Sequence, residues 1–223
     1  MNASLLPLLA GLTLLAGVSC GSRSVPPGTQ GGGTVIFPPA AGTAVFSAQT
    51  GPAGTDVVQA AVTASGRYGL TLPPDPTLPD TAPTLLDLLG PALPGGTLAA
   101  CQGALTTDPP AARLLVLSGG RYLIGAQVTG TLRPAPQAIG TQQVQVIIRQ
   151  FVFSDRAATL GSDQTCTFTL AGQTLAGTLR VRPSLRRGWN VLETRLELGP
   201  DRLTFDVTDA GTDATVDWLY LPL

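Results

Sequence analysis

From residue 33 onward, apolar and polar side chains alternate in short runs, with the period of a β-strand rather than of a helix. In residues 67–72, for example, every second side chain is large and apolar. The same alternation predicts strands over 34–37, 43–47, 56–63, 67–72, 113–117, 121–131, 142–154, 165–170, 173–182, 189–198, 203–207 and 215–221. Many short strands at this spacing are typical of sandwiches and barrels. We therefore predict an all-β fold, an antiparallel β-sandwich built as one unit or as two sandwich-like halves over 34–105 and 106–223.

The longest predicted strand, over 142–154, carries apolar residues on both of its sides. Val144, Val146 and Ile148 share one parity, and Ile147, Phe151 and Phe153 share the other. Such a switch indicates either a β-bulge or a strand that is buried on both faces.

One short helix is predicted, over residues 84–89. Its four leucines crowd one side, Pro83 precedes it and Gly90 follows it as a stop signal. A helix of two turns is marginal on its own. We therefore expect it to pack as a plug over an open end of the sheet structure.

The beginning of the chain has the pattern of an export signal. The apolar run from Leu5 to Val18 is shorter than the roughly 20 apolar residues that a bilayer crossing needs. It is therefore typical of a secretory signal peptide rather than of a transmembrane helix. The residues that follow, Gly17-Val18-Ser19-Cys20, resemble a bacterial lipobox, in which the cysteine is acylated and the leader is removed before it.

We accordingly expect a signal peptide over 1–19 and then a segment over 20–33 that consists of the lipidated Cys20 and a flexible tether over 21–33. The tether GSRSVPPGTQGGG has no periodic apolar residues. The expected location is the cell envelope, with the protein held to a membrane, inner or outer, through its N-terminal lipid anchor. The alternative is an ordinary signal peptide cut near Ala16 or Ser19, which would leave a periplasmic or secreted protein.

The cysteine count agrees with this interpretation. The chain has three cysteines, an odd number that needs an explanation in an exported protein. If Cys20 carries lipid, Cys101 and Cys166 remain and can pair in an oxidising compartment. The alternative is two separate thiols that are buried as small apolar side chains. Two isolated cysteines without histidine offer too few ligands for a metal site.

Composition removes several classes of chemistry. The chain has no histidine and no lysine, so its 13 basic residues are all arginine. Catalysis by Ser-His-Asp or Cys-His arrangements, Schiff-base chemistry and the phosphate-loop lysine are therefore excluded. A net charge of −1 argues against nucleic acid as a partner. We predict a protein that is not an enzyme and that needs no cofactor or metal.

Two stretches resemble known families. Residues 61–73, AVTASGRYGLTLP, resemble the strand-turn-strand of carboxypeptidase-regulatory-like, or prealbumin-like, β-sandwich modules, with Tyr68 in the aromatic position. Residues 151–166, FVFSDRAATLGSDQTC, and 185–197, LRRGWNVLETRLE, resemble a group of deinococcal envelope lipoproteins of unknown function. These resemblances imply a location and a β-sandwich fold, and they imply no particular chemistry.

The clearest candidate binding residues are four arginines that precede Trp189: Arg180, Arg182, Arg186 and Arg187. Guanidinium groups beside an aromatic ring can bind a carboxylate, a phosphate or a sugar acid. The alternative is a solvated face in which these arginines pair with Glu193 and Glu197 across a hairpin.

Other polar residues are expected to be structural. Asp155 and Arg156 are predicted to form an ion pair or to cap a turn at the end of the long strand. Four aspartates near the end of the chain are too loosely spaced for a calcium loop and predict a polar turn: Asp206, Asp209, Asp213 and Asp217. Both tryptophans, Trp189 and Trp218, are expected in the core.

Three functions remain open at this point. The first is a structural or interaction module of the cell envelope, whose partner the sequence does not identify. The second is a carrier that holds a small apolar ligand, which a pocket larger than about 300 Å³ would favour. The third is a hydrolase that uses carboxylates alone, which would need two carboxylates converging in a cleft.

Overall fold

The computed structural model of the protein describes residues 29–48, 54–80, 82–84, 98–103, 106–139, 144–170, 173–199, 202–211 and 215–223. These residues form sixteen strands, and no helix occurs among them. The all-β prediction is therefore confirmed. The predicted signal peptide and Cys20 lie outside the described residues, as does the predicted helix except for Thr84, which forms a β-bridge with Arg113.

The strands are numbered in chain order. They are β1 (Thr29–Ile36), β2 (Gly42–Ala48), β3 (Thr55–Val62), β4 (Arg67–Leu72), β5 (Leu98–Gln102), β6 (Thr106–Asp108), β7 (Leu114–Ile124), β8 (Gln127–Pro134), β9 (Gln137–Ile139), β10 (Val144–Ser154), β11 (Ala158–Leu170), β12 (Gln173–Val181), β13 (Ser184–Leu185), β14 (Gly188–Leu198), β15 (Arg202–Asp209) and β16 (Trp218–Pro222).

Seven strands close into a barrel, in the order β7-β2-β3-β4-β1-β16-β8 and back to β7. Neighbours run antiparallel, except that β16 lies parallel to β1. Closure leaves no unpaired strand edge in the barrel. The described strands thus form a closed barrel with extra strands rather than a clear antiparallel sandwich, because β16 returns from the end of the chain to fill the gap between β1 and β8.

The barrel interior is filled by side chains. Four large aromatic residues lie in it, and Phe46 and Trp218 are fully buried there with ring centroids 4.9 Å apart. The Tyr68 ring also packs against Phe46, with centroids 5.3 Å apart, and Tyr122 is fully buried as well. A barrel of this size is just wide enough for side chains to fill.

Strand β7 connects the barrel to a second sheet. The first residues of β7 leave the barrel and pair with β10, and the sheet continues through β14, β15, β12 and β11, with β12 and β15 parallel. Phe151 and Phe153 of β10 pack into the barrel core, whereas Val152 belongs to a second core with Val181 and Phe205. The strand predicted over 142–154 is therefore buried on both faces, and its pairing with β14 runs without a bulge.

Two predicted boundaries differ from the structure. The last residues of the predicted tether are part of β1, where Gly31 pairs with Leu70. Gly31 is placed there by packing, since a Cβ atom at this position would lie 2.8 Å from Phe151 Cζ. In addition, the barrel takes strands from both predicted halves, because β7, β8 and β16 join β1 to β4.

Candidate functional site

The second sheet carries an ordered row of alternating charges. Strand register places Arg195 of β14 beside Asp206 of β15, Asp206 beside Arg180 of β12, and Arg180 beside Asp163 of β11. Residues that face one another across neighbouring strands point to the same side of a sheet. Four neighbouring strands thus present charges in the order positive, negative, positive, negative.

More polar side chains extend this row into a surface. Strand register and alternation put Arg149, Glu193, Glu197 and Arg182 on the same side. We call these residues, with the row itself, the charged face: Arg149, Asp163, Arg180, Arg182, Glu193, Arg195, Glu197 and Asp206. The same side of β14 buries Trp189 and Val191 against the barrel core, so the charged face is the part of the sheet that extends past the barrel.

Glu193 is the buried centre of the charged face, with only 8% of its surface exposed. Its Oε2 accepts a hydrogen bond from Arg149 Nε at 2.9 Å and forms an ion pair with Arg149 Nη2 at 2.9 Å, and its Oε1 accepts a hydrogen bond from Arg195 Nη2 at 2.9 Å. Hydrogen bonds between ionised partners are about twice as strong as neutral ones. Two guanidinium groups therefore hold one carboxylate at a fixed position in the sheet.

The four candidate anion-binding arginines lie in two places. Arg180 lies on β12 and Arg182 directly follows that strand, where Arg182 Nη2 donates to Asp163 Oδ2 at 2.7 Å. Arg186 and Arg187 are exposed in the connection between β13 and β14, where the Arg186 backbone N donates to Asn190 Oδ1 at 2.9 Å. The first two thus belong to a surface of mixed charge, and the other two lie in a separate turn.

The sequence predicts that these arginines pair with Glu193 and Glu197. For Glu193 this prediction is wrong, because other arginines are its partners. Glu193 binds Arg149 and Arg195 instead, and Glu197 accepts a hydrogen bond from Gln145 of β10. Periodicity places these residues on the correct side of their strands. It does not reveal that β10 lies beside β14, and for that reason the contribution of Arg149 was missed.

Asp155 and Arg156 form the predicted ion pair and cap. Asp155 accepts hydrogen bonds from Arg156 Nε at 3.1 Å and from the Arg113 backbone N at 3.0 Å. The hydrogen bond from Arg156 is the main reason why the pKa of Asp155 lies below its ordinary value. These contacts tie the end of β10 to the start of β7, which makes them structural.

The aspartates near the end of the chain are separated. Asp206 lies in the charged face, and Asp209 accepts a hydrogen bond from the Gly211 backbone N at 3.1 Å. Asp217 accepts hydrogen bonds from the Thr34 backbone N and from Gln137 Nε2, both at 2.8 Å. Asp213 lies outside the described residues. Within the described ranges, no three acidic or cysteine residues lie close enough together to hold a metal ion.

Cys101 and Cys166 form the predicted disulfide, in which β5 is joined to β11. Cys166 is buried in the second core, and Cys101 packs against the same core. Both tryptophans are core residues as predicted, since Trp218 is fully buried and Trp189 is 7% exposed.

A groove of about 520 Å³ lies beside the barrel, between β3, β7 and the proline-rich segment after β4. Its lining residues are Thr55, Asp56, Val57, Pro73, Asp75, Pro76, Thr77, Pro79 and Leu115. The floor is fixed in part by Trp189 Nε1, which donates a hydrogen bond to the Pro73 carbonyl at 2.7 Å. One acidic lining residue, Asp56, is paired with Arg121 and Ser47.

Comparisons with protein-family models, with curated proteins and with solved structures found no match. Where the chain is described, none of its secondary structure is a helix with the length and hydropathy that a membrane crossing requires.

Proposed function

We propose that this protein is a non-catalytic lipoprotein of the cell envelope and that it works as an interaction module, with the charged face as its partner-binding surface. The observation that carries the proposal is the alternating row of Arg195, Asp206, Arg180 and Asp163 on four neighbouring strands. Surfaces with complementary charge patterns set partner specificity and orientation more than they set affinity.

The arrangement of Glu193 supports this proposal. Its two arginine partners are fixed on one side by the carboxylate, and their side chains remain 26% and 43% exposed. A prepositioned guanidinium loses little conformational entropy when a partner carboxylate binds. A partner with its own ordered charges could therefore dock without rearranging the face.

The envelope part of the proposal rests on the sequence. It follows from the apolar leader, from the lipobox-like segment that ends at Cys20, and from the resemblance to deinococcal envelope lipoproteins. An oxidising compartment is also where the disulfide between Cys101 and Cys166 would persist.

The anchor is tested by metabolic labelling with a tagged fatty acid in cells that express the full wild-type chain or its Cys20→Ala variant. We expect the wild-type chain to carry the label and the variant to carry none. Equal labelling of the two chains would refute the anchor.

The charged face is tested by crosslinking in intact envelopes, with wild type compared with Arg180→Glu. The matched control is Arg133→Glu, which makes the same charge change at an exposed position on the barrel strand β8. We expect Arg180→Glu to lose the crosslinked partner bands and Arg133→Glu to retain them. Identical band patterns for all three proteins would exclude the charged face as the docking surface.

The groove beside the barrel favours a second candidate function, that of a carrier for a small ligand. Its volume of about 520 Å³ lies within the range of ligand sites. Three prolines, Val57 and Leu115 supply apolar lining. Titration with a panel of apolar fluorescent probes tests this function, with Thr77→Trp, at an exposed lining position, expected to fill part of the groove and weaken probe binding. Probe binding that is equal in wild type and variant would place the ligand elsewhere.

A further inference from the structure

All of the exposed large apolar side chains among the described residues lie at one end of the barrel. They are Phe37, Ile124 and Leu223, with 78%, 38% and 83% of their surfaces exposed. Single exposed apolar residues are ordinary on protein surfaces, whereas a group at one site is typical of an interaction surface. The clustering is therefore the feature that needs a physical account.

Strand topology establishes that these residues share one end. β16 lies parallel to β1, so the ends of both strands point the same way, with Ile36 beside Leu219. β2 starts at this end, and the end of β7 is paired with it, since Thr43 lies opposite Leu123. The β1–β2 connection, the β7–β8 turn and the end of β16 thus form one surface, which we call the apolar rim: residues 36–42, 124–126 and 221–223.

Phe37 is held in an exposed position by the backbone. Its φ angle is +60°, a left-handed conformation that is rare for a bulky residue. Pro38 and Pro39 follow it and restrict the chain, and Tyr122 Oη donates a hydrogen bond to the Ala40 carbonyl at 2.6 Å. Backbone strain of this kind persists where the surrounding structure enforces it, and it clusters at functional sites.

The apolar rim has no charged side chain. Its segments read IFPPAAG, IGA and LPL, and the neighbouring β3–β4 turn at 63–66 reads TASG, with the exposed Arg67 directly after it. The interfaces that bind protein partners usually have an apolar centre surrounded by polar residues. The apolar rim lacks such charged surroundings among its own residues, whereas the charged face carries charges of both signs. A surface whose side chains are uncharged, with aromatic and aliphatic residues at its most exposed positions, fits the interface of a lipid bilayer instead, because none of these side chains carries a charge that insertion would desolvate.

We propose that the apolar rim inserts into the interfacial region of a phospholipid bilayer, with Phe37, Ile124 and Leu223 as the inserting side chains. This membrane contact is separate from the lipid anchor of the proposed function. β1 begins at the opposite end of the barrel, and the nine residue steps from Cys20 to Thr29 span at most about 30 Å. That reach is comparable to the length of β1, about 25 Å, so the anchor and the rim can contact the same bilayer.

The test uses the full chain with Phe37→Trp, bound to phosphatidylcholine vesicles whose acyl chains carry bromine, a contact quencher of tryptophan. The native residues Trp189 and Trp218 are buried and give a constant background. The matched control is Thr165→Trp, at an exposed position of β11 on the second sheet. Quenching is measured on sedimented vesicles, so that it reports the depth of the new side chain in protein that is bound.

We expect the quenching of the introduced tryptophan in the Phe37→Trp chain to exceed that in the Thr165→Trp chain by at least twofold. Equal quenching in the two variants would overturn the rim proposal while leaving the anchor intact. If the emission of the Phe37→Trp chain shifts with protein concentration and shows no effect of brominated lipid, a second copy of the chain is the occupant, and the proposal is also overturned. Failure of the anchor alone is seen separately, as fatty-acid labelling of the wild-type chain that does not exceed that of the Cys20→Ala chain.

Discussion

Trp218 Nε1 donates a hydrogen bond of 3.0 Å to the hydroxyl of Tyr68, and that hydroxyl donates in turn to the Val216 carbonyl. The two residues are 150 positions apart in sequence and lie on β16 and β4, which both flank β1. Burial raises the pKa of the Tyr68 hydroxyl far above its ordinary value. The phenol is therefore neutral at all physiological pH values and acts as a bridge that holds the last strand in the barrel.

Replacing Tyr68 by Phe removes this bridge. The Trp218 Nε1 donor and the Val216 carbonyl would lose their partner inside the barrel, at a cost of about 1–3 kcal/mol. Urea denaturation of Tyr68→Phe should show a drop of that size in the free energy of unfolding. The control is Tyr220→Phe, whose hydroxyl donates to the Thr129 carbonyl in a less buried setting. A loss no larger than that of Tyr220→Phe would contradict the bridging role.

Glu193→Gln tests the centre of the charged face. The substitution keeps the shape but removes the charge that Arg149 and Arg195 share. Because both arginines retain access to water, we expect a loss of about 1–3 kcal/mol rather than the 3–5 kcal/mol of a fully buried pair. Glu197→Gln, whose carboxylate accepts from the neutral Gln145, is the control. The free energies of unfolding are measured by chemical denaturation. Equal losses for the two variants would argue against a central role for Glu193.

Asp155 predicts a pH dependence of stability. Its pKa in the folded protein is lowered, chiefly by the hydrogen bond from Arg156, whereas in the unfolded chain it is close to 3.9. The stabilisation is therefore fully present above about pH 4, and it is lost as the pH falls through the unfolded value towards the folded one. Unfolding curves between pH 2 and 6 should show a shallower acid loss for Asp155→Asn than for wild type. Parallel curves would show that Asp155 does not contribute.

The disulfide is expected to contribute through the unfolded state. Cys101 and Cys166 are separated by 65 positions, and a crosslink over a loop of that length restricts the unfolded chain by about 4 kcal/mol in the chain-entropy model. Adding a thiol reductant should lower the melting temperature of the wild type. The double variant with Cys101→Ser and Cys166→Ser should melt at the lower temperature with and without reductant. If complete reduction of the disulfide left the Tm of the wild type unchanged, this contribution would be contradicted.

Sequence periodicity predicts the strands well because it depends only on local alternation. Apolar residues on both parities of the strand over 142–154 predict either a bulge or burial on both faces, and the structure has the second, with Phe151 in one core and Val152 in the other. Periodicity does not predict that β16 lies between β1 and β8, because that contact joins residues near position 30 to residues near position 220. The closed barrel follows from this one long-range insertion, which explains why a sandwich was expected.

The charged face shows the same difference between what local alternation predicts and what depends on strand pairing. Alternation places Arg180, Glu193 and Arg195 on the outward side of their strands, whereas only the register shows which residue lies beside which. The Arg149 partner of Glu193 was therefore not foreseen. The apolar rim was not predicted for a different reason. A single Phe or Leu in a loop is not part of a periodic pattern, so periodicity says nothing about its exposure.

The glycines of β1 give the sharpest test of the packing between the barrel and the second sheet. Composition alone interprets Gly31 as part of a tether, yet a methyl group at this position would lie 2.8 Å from the ring of Phe151 and 3.4 Å from Leu70 Cδ1. Gly31→Ala should therefore push β10 away from the barrel, at a cost of about 1–3 kcal/mol. Gly69→Ala is the matched control, because a Cβ there meets nothing within 4 Å. The two free energies of unfolding are measured by urea denaturation, and if residues 29–33 were a tether, neither substitution would lower stability.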